Sequence, residues 1–576
     1  MFILRKADIR MTIKLIDYLR DGETDIVPAL LTALDSLSDG DTLELGGGTY
    51  HLFPGKALTK HYYISNNDAG DKPIAIPLIG KHDIMIDGGG AELIFHGGIL
   101  PIVVDGSSDV TVKNLTIDYA TPFFSQAEII SSDRYTTVLR FDGEEFGCTV
   151  APDGRFRFVT HDPVTGETGH ADAESPLSLE FDSTLRDGFI PSPHKPPYFP
   201  DSLGKTDHGF LSPMFRRVSL EETDKNTINM YGNLGFEHTP GNYLVMTYSS
   251  REFPGIFVTD SKNVTLEGVT LHHTASMGVI CQLSENITLR GVKAEPRPGS
   301  KRLISVNADA THFVNCRGKI ELENCKFVRM MDDACNIHGI YGICREFVDG
   351  TTIRVGFGHP QQRGINFFRR GDELALVNSD TAETVAVRKV ISSTYTSPDS
   401  LRITVDRPMP VADGNFVVEN RSTAPDVHVV GCESGFNRPR GFLLSSAGRI
   451  EVENSVFYNM NQGIQLGAEL TDWYESGPVM NAYIHDNDFR NSAYAGGAAI
   501  VTHDLTSSVP EEFFHGLIVI ENNSFTQSAP RILSANYVRE LVYRNNTFTA
   551  DDTMPHHGQI GDDGLRILNC GRIVTE

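Results

Sequence analysis

Apolar and polar residues alternate along this chain in short bursts, and in the second half the bursts repeat. SKNVTLEGVTLHHT (261–274) is echoed by SENITLRGVKAEP (284–296), which sets Asn263 and Asn286 23 residues apart. KIELENCKF (319–327) returns as RIEVENSVF (449–457), followed by YIHDNDF (483–489), LIVIENNSF (517–525) and LVYRNNTF (541–548). Asn522 and Asn545 are again 23 residues apart. Each unit is an alternating strand, then Asn, then a small or polar residue, then an aromatic or aliphatic one. Alternation buries one face of a strand. A short strand recurring every twenty-odd residues buries that face only by stacking on its neighbours. The pattern therefore predicts an all-β chain, a right-handed parallel β-helix with one coil per repeat. Coils about 4.8 Å apart bring equivalent residues into ladders, Asn at the turns and Phe and Ile inside. The N-x-S/T sequences at Asn114, Asn263 and Asn286 are read as ladder positions rather than glycosylation sites.

The first half opens differently. TDIVPALLTALDSL (24–37) has the pattern of an amphipathic helix, with Thr24 as N-cap and Pro28 in the first turn. It predicts an N-terminal capping helix over the open end of the β-helix, before the first strand in DGDTLELGGGTYHL. Two stretches then leave the coil rhythm for period-two strands joined by hairpin-like turns. TTVLRFDG, RFRFVTHD, LSLEFDS and YLVMTYSS fall in the first, and TTIRVGFG, DELALVNS, ETVAVRKVIS, LRITVDRPM and NFVVEN in the second. These predict two inserted antiparallel β-barrel-like domains. The expected organisation is cap and first coils at 1–120, first insert at 121–254, coils at 255–344, second insert at 345–425 and last coils at 426–576. The inserts are expected to wall one flank of a cleft.

Charge narrows the partners. Seventy-five acidic against 50 basic residues leave a net charge of −25, which argues against nucleic acid or an anionic membrane surface. Eight cysteines occur without any C-x-x-C pair, so they are read as packed free thiols, not zinc ligands. The opening MFILRKADIRMTIKLIDYL has no uninterrupted apolar core or small-residue cleavage site, and Met11 is an alternative start. The chain contains no long apolar run of transmembrane type. These features predict a cytoplasmic protein with no membrane partner.

Chemistry concentrates in MMDDACNIHG (330–339). Asp309, in SVNADATHF, precedes Asp332 by 23 residues, one repeat, so the two are expected on neighbouring coils at the same lateral position. Asp333 adds a third carboxylate, on an outward face shared with Asn307, His312, Asn336 and His338. Clustered like charges keep one carboxylate protonated near neutral pH. A shared proton, an acid and a base are the components of glycoside hydrolysis.

NADATHFVNCRGKIELENCKFVRMMDDACNIHG, with RGFLLSS (440–446) and DWYESGPV (472–479), closely resembles glycoside hydrolase family 110 over nearly the whole chain. The resemblance implies an exo-acting α-galactosidase that removes terminal α-1,3-linked galactose, as in blood-group-B-type structures, with inversion and with no metal or other cofactor. The aspartate triplet is also similar to that of polygalacturonases, which implies Asp332 as general acid with Asp309 and Asp333 as bases holding the water. The implied partner is a galactose-terminated oligosaccharide; the oligomeric state stays open, a homodimer being compatible.

Trp473, the sole tryptophan, offers an aromatic face for galactose. Glu475, Arg438 and Arg440 lie in the same downstream region and are candidate partners for sugar hydroxyls. Of the adjacent His272 and His273 at most one faces the groove, and Met330 and Met331 are expected in the core. The competing readings are a galacturonase-like hydrolase, a β-helix polysaccharide lyase, disfavoured by the acidic charge and by the absence of Lys from 327–344, and a non-catalytic carbohydrate-binding β-helix.

Overall fold

The coils recur through one local event: an alternating strand, a left-handed residue, and a second short strand turned away from the first. Strand Arg317–Glu323 ends at Asn324, φ 53°, before strand Lys326–Val328. Asn454, Asp486, Asn522 and Asn545 hold the same corner in later coils, with φ between 51° and 57°. Asn and Asp reach this region more readily than other residues with a Cβ, because their short side chains bond locally. The repeated Asn is thus first a corner residue. The computed structural model describes residues 11–575 except 186–189, 205–212, 249–250, 411–413, 503–512, 529, 552 and 555–562. The first ten residues, the whole segment before Met11, lie outside the described residues.

Stacked coils form three parallel faces. The long strands Lys262–Glu267, Glu285–Arg290, Arg317–Glu323, Asp426–Val430 and Arg449–Glu453 make one, continued by later coils. The short strands after each corner make the second. The third runs through Ile256–Thr259, Val279–Gln282, Thr311–Val314, Cys335–Ile340, Phe442–Leu444 and Ile464–Leu466. Inward residues such as Leu266, Leu289, Leu322, Phe313 and Ile337 share one core. Each fully buried aliphatic side chain there contributes about 1.5–3 kcal/mol. The ladders are present: Phe457, Phe489 and Phe525 stack with centroids 4.9 and 4.7 Å apart. Asn286 Nδ2 donates to Asn263 Oδ1 at 2.9 Å. In the last coils the ladder moves to the residue after the corner, where Asn487 donates to Asn523 and Asn523 to Asn546, each at 3.0 Å.

The cap is a helix over Val27–Asp35, with Val27, Leu30 and Leu34 in the core of the first coils. It starts later than the pattern predicts. Ile26 occupies the N-cap and has no side-chain cap bond, so Thr24 is not the cap; Asp25 Oδ1 accepts from Val27 N–H at 3.2 Å instead. Pro28 sits in the first turn, where its missing N–H costs nothing.

Between the coils, strands from Phe124–Ser132 to Tyr243–Thr247 form a seven-stranded antiparallel sheet, and Gly147–Val150, Phe156–His161 and Thr168–Ala173 form a three-stranded one. Phe141, Phe156, Ile228 and Leu244 lie in a core these strands share. Strands within Gly342–Asn420 close into a six-stranded antiparallel barrel around Ile353, Leu374, Leu401 and Val418. Among the described residues no helix is long and apolar enough to cross a membrane.

Candidate active site

Alternation on the third face places the chemistry. Phe313, Cys335 and Ile337 point into the core, so His312, Asn336 and His338 point out, with His312 paired across the ladder to Asn336. All three nevertheless are buried, with Glu475 against Asn336 and His338 and the two His rings against each other. Asp309 lies two residues before strand Thr311–Val314, and Asp332 and Asp333 just before Cys335–Ile340. Thr311 pairs with Cys335, an advance of 24 residues, and Ala310 N–H donates to the Asp333 carbonyl at 2.9 Å. The register therefore sets Asp309 level with Asp333, not with Asp332 as the 23-residue repeat predicts. Coil length on this face is not constant: Ile256 to Val279 is 23 residues but Val279 to Thr311 is 32. Corners absorb the extra residues without disturbing the strands.

The three carboxylates line one cavity of about 990 Å³. Its walls include Thr247 and Arg251, His359 and Gln361, and the coil residues Arg438, Arg440, Trp473 and Glu475. Asn307, His312 and Asn336 also line it; His338 does not and stands behind His312. His272 and His273 are both buried away from the cavity, and His273 is used up by Phe123 N–H and the Ser305 carbonyl. Met330 is core, whereas Met331 reaches the cavity wall.

Each carboxylate has a different neighbour. Arg440 donates from Nε to Asp333 Oδ1 at 2.9 Å and places Nη2 2.8 Å from Oδ2, a fork that fixes the carboxylate plane. Asn437 donates to the Asp332 carbonyl at 2.8 Å and holds that turn against the next coil. Asp332, the most exposed of the three, accepts from Arg251 Nη2 at 2.8 Å and has Arg438 Nη2 at 3.8 Å. Asp309 Oδ2 lies 2.6 Å from His312 Nδ1. Burial, then the charge of Asp332, pushes the Asp309 carboxyl well above the usual carboxylate range. Burial does the same to Asp333 against the pull of Arg440. Burial and His338 push His312 well down.

Several expected sugar contacts are differently employed. Both ring nitrogens of His312 are engaged, Nδ1 by Asp309 and Nε2 by His338 Nε2 at 2.9 Å. Trp473 has the His359 ring at 4.1 Å and the Arg251 guanidinium at 5.1 Å, so much of its surface is packed against protein. Glu475 accepts from Asn66 Nδ2 at 3.0 Å and Asn336 Nδ2 at 3.2 Å. Asn307 Nδ2 donates to the Phe123 carbonyl at 2.9 Å. Arg251, His359 and Asn66 belong to the site and carry no signal in the sequence: none lies in a repeated coil strand. Among the described residues, His312, His338 and Glu475 form the one buried cluster compact enough to raise the question of a metal. Their Nε2 atoms stand at hydrogen-bond distance, closer than the roughly 3.3 Å between two nitrogens on a tetrahedral ion.

Fold and site define the class: a parallel β-helix with an aspartate-lined pocket on its third face, walled in part by strands outside the coils. The α-1,3-galactosidase A of Shewanella woodyi is 31% identical over 540 residues, 92% of this chain and 84% of that protein. The α-1,3-galactosidase B of Bacteroides thetaiotaomicron is 29% identical over 569 residues, 96% of this chain and 88% of that protein. The GLAA-B beta-barrel domain II family matches residues 352–412, inside the closed barrel. The chain belongs to the α-1,3-galactosidase family, glycoside hydrolase family 110. A family 28 exopolygalacturonase structure from Yersinia enterocolitica aligns over 98% of this chain and 78% of that one, at 12% identity and TM-score 0.40, too slight a likeness to bear on chemistry.

Proposed function

We propose that this chain is a glycoside hydrolase that releases terminal α-1,3-linked galactose from oligosaccharides, acting from the non-reducing end and inverting the anomeric centre. The observation that carries this reading is the aspartate triplet in one cavity, on a chain whose relatives are named α-1,3-galactosidases. Asp332, most open to the cavity, is the acid for the glycosidic oxygen. Asp309 and Asp333, level with one another on adjacent coils, hold the attacking water. Arg251 pairs with Asp332 at the pocket wall, and a sugar that takes over that guanidinium frees Asp332 to accept a proton. Arg438, Arg440, Trp473 and Glu475 supply the polar and aromatic lining that orients a hexose. The eight free cysteines, mostly buried, support a reducing, cytoplasmic setting. Incubation with linear Gal-α-1,3-Gal and with fucosylated B trisaccharide, followed by measurement of free galactose, tests the reading. Release from neither, by protein that is folded, overturns it.

A further inference from the structure

A buried chain of four groups runs away from the pocket. Asp309 Oδ2 is 2.6 Å from His312 Nδ1, His312 Nε2 is 2.9 Å from His338 Nε2, and His338 Nδ1 is 2.6 Å from the Gly339 carbonyl oxygen. All three distances are those of hydrogen bonds, and all four groups are buried. Each of the three links needs one hydrogen. The Gly339 carbonyl can only accept, so His338 Nδ1 carries the first. A neutral His338 then presents a bare Nε2, and His312 must donate to it from Nε2. A neutral His312 then presents a bare Nδ1, and Asp309 must supply the third hydrogen. The other solutions place the same third proton on an imidazolium beside an ionised Asp309. Two neutral imidazoles and a carboxylate bring only two. Without the third, two lone pairs face each other at one of the links, which a buried site does not tolerate.

We propose that Asp309, His312 and His338 hold one proton in common and that this electrically neutral store is the source of the proton used in hydrolysis. The role rests on the proposed glycosidase reading; the store itself does not. Charges around it are consistent: Asp332 and Asp333 have Arg251 and Arg440, while Glu475, 3.4 Å from His338 Nε2, favours keeping the proton in the chain. These five groups, from the coils and from the segment before Ile256, are the charged neighbours that act on Asp309 and His312. The cycle balances. As sugar displaces Arg251, the stored proton passes from Asp309 to Asp332. Asp332 gives it to the glycosidic oxygen as the C1–O bond breaks. The attacking water, bonding to C1, loses a proton to Asp309, which refills the store. His312 and His338 are thus positioning residues for Asp309, not sugar ligands.

Neutron diffraction from perdeuterated crystals of the full chain at neutral pD counts the hydrogens directly, with or without activity. Three deuterons, one per link, are expected. Two deuterons, both on Nδ1 with nothing between the Nε2 atoms, overturn the store, as does a metal at that position. The kinetic arm uses His338→Gln, whose amide meets His312 as donor or acceptor and so removes the demand for the third proton. Weaker proton holding moves the alkaline fall of kcat/KM on an α-galactoside to lower pH by about one unit, the worth of one lost hydrogen bond. A uniform loss of rate with the alkaline limb unmoved assigns His338 a merely structural part and overturns the proton-source role. Inactivity of the unmutated protein on every α-galactoside overturns the glycosidase reading and leaves the deuteron count standing.

Discussion

Arg251 and Trp473, 222 positions apart in the sequence, form one unit: the guanidinium lies 5.1 Å over the indole while its Nη2 bonds Asp332 at 2.8 Å. The indole therefore holds in place the cation that pairs with the Asp332 carboxylate. Trp473→Ala is expected to weaken galactose binding by about 1–2 kcal/mol, the usual weight of an aromatic contact. Inhibition constants for galactose, measured beside the melting temperature, check it. An unchanged constant in a stable variant makes Trp473 a packing residue only.

The triplet itself gives the largest expected effect. Asp309→Asn, Asp332→Asn and Asp333→Asn are each expected to lower kcat by a factor of about 10³ or more while the fold is kept, since each removes a proton donor or acceptor in the transition state. Steady-state rates with circular dichroism of each variant decide the matter. A variant with more than a tenth of wild-type kcat removes that residue from the catalytic set.

Stereochemistry separates one-water from two-step hydrolysis. Level side chains on adjacent coils, Asp309 and Asp333, can cradle a water, with Asp332 one residue earlier in the turn. The expected first product from an α-galactoside is β-galactose, as an acid and base about 6.5–9.5 Å apart would give. Proton NMR in the first minutes of reaction reads the anomer before mutarotation. An initial α signal discards inversion and the two-base role together.

The clamp between strand Ser108–Tyr119 and the coil segment carrying Arg297 and Arg302 gives a pH prediction. Asp118, buried, accepts from Arg302 Nη1 at 2.8 Å and from Arg297 Nε at 2.6 Å. Burial opposes ionisation, but the two guanidinium groups outweigh it and hold the carboxyl below its usual value. For a depressed carboxyl the stabilisation is complete above the unfolded value near about 3.9 and is lost as pH falls through the native one. Asp118→Asn is expected to cost about 3–5 kcal/mol at pH 7, the range for breaking a buried pair, and progressively less below pH of about 4. Urea unfolding at pH 7 and pH 3 measures both; an equal cost at the two pH values contradicts the ion-pair origin.

Much of this protein was legible because a β-helix writes its architecture into a local period. Alternation fixes which residues face the core, the corner Asn marks where each strand turns, and the departures from the rhythm mark the strands outside the coils. The cluster of Asp309, Asp332 and Asp333 followed from the same spacing, since stacked coils bring residues one repeat apart side by side. Tertiary structure decided what spacing cannot carry. Corners of unequal length moved Asp309 level with Asp333, because a turn takes up extra residues without breaking a strand. Partners outside the coil strands, Asp309 and Glu475, turned the outward His312 and His338 into buried, bonded groups. Arg251, His359 and Asn66 reached the pocket from segments with no period at all, and only the folded chain sets Arg251 on Asp332, Asn66 on Glu475 and His359 on Trp473.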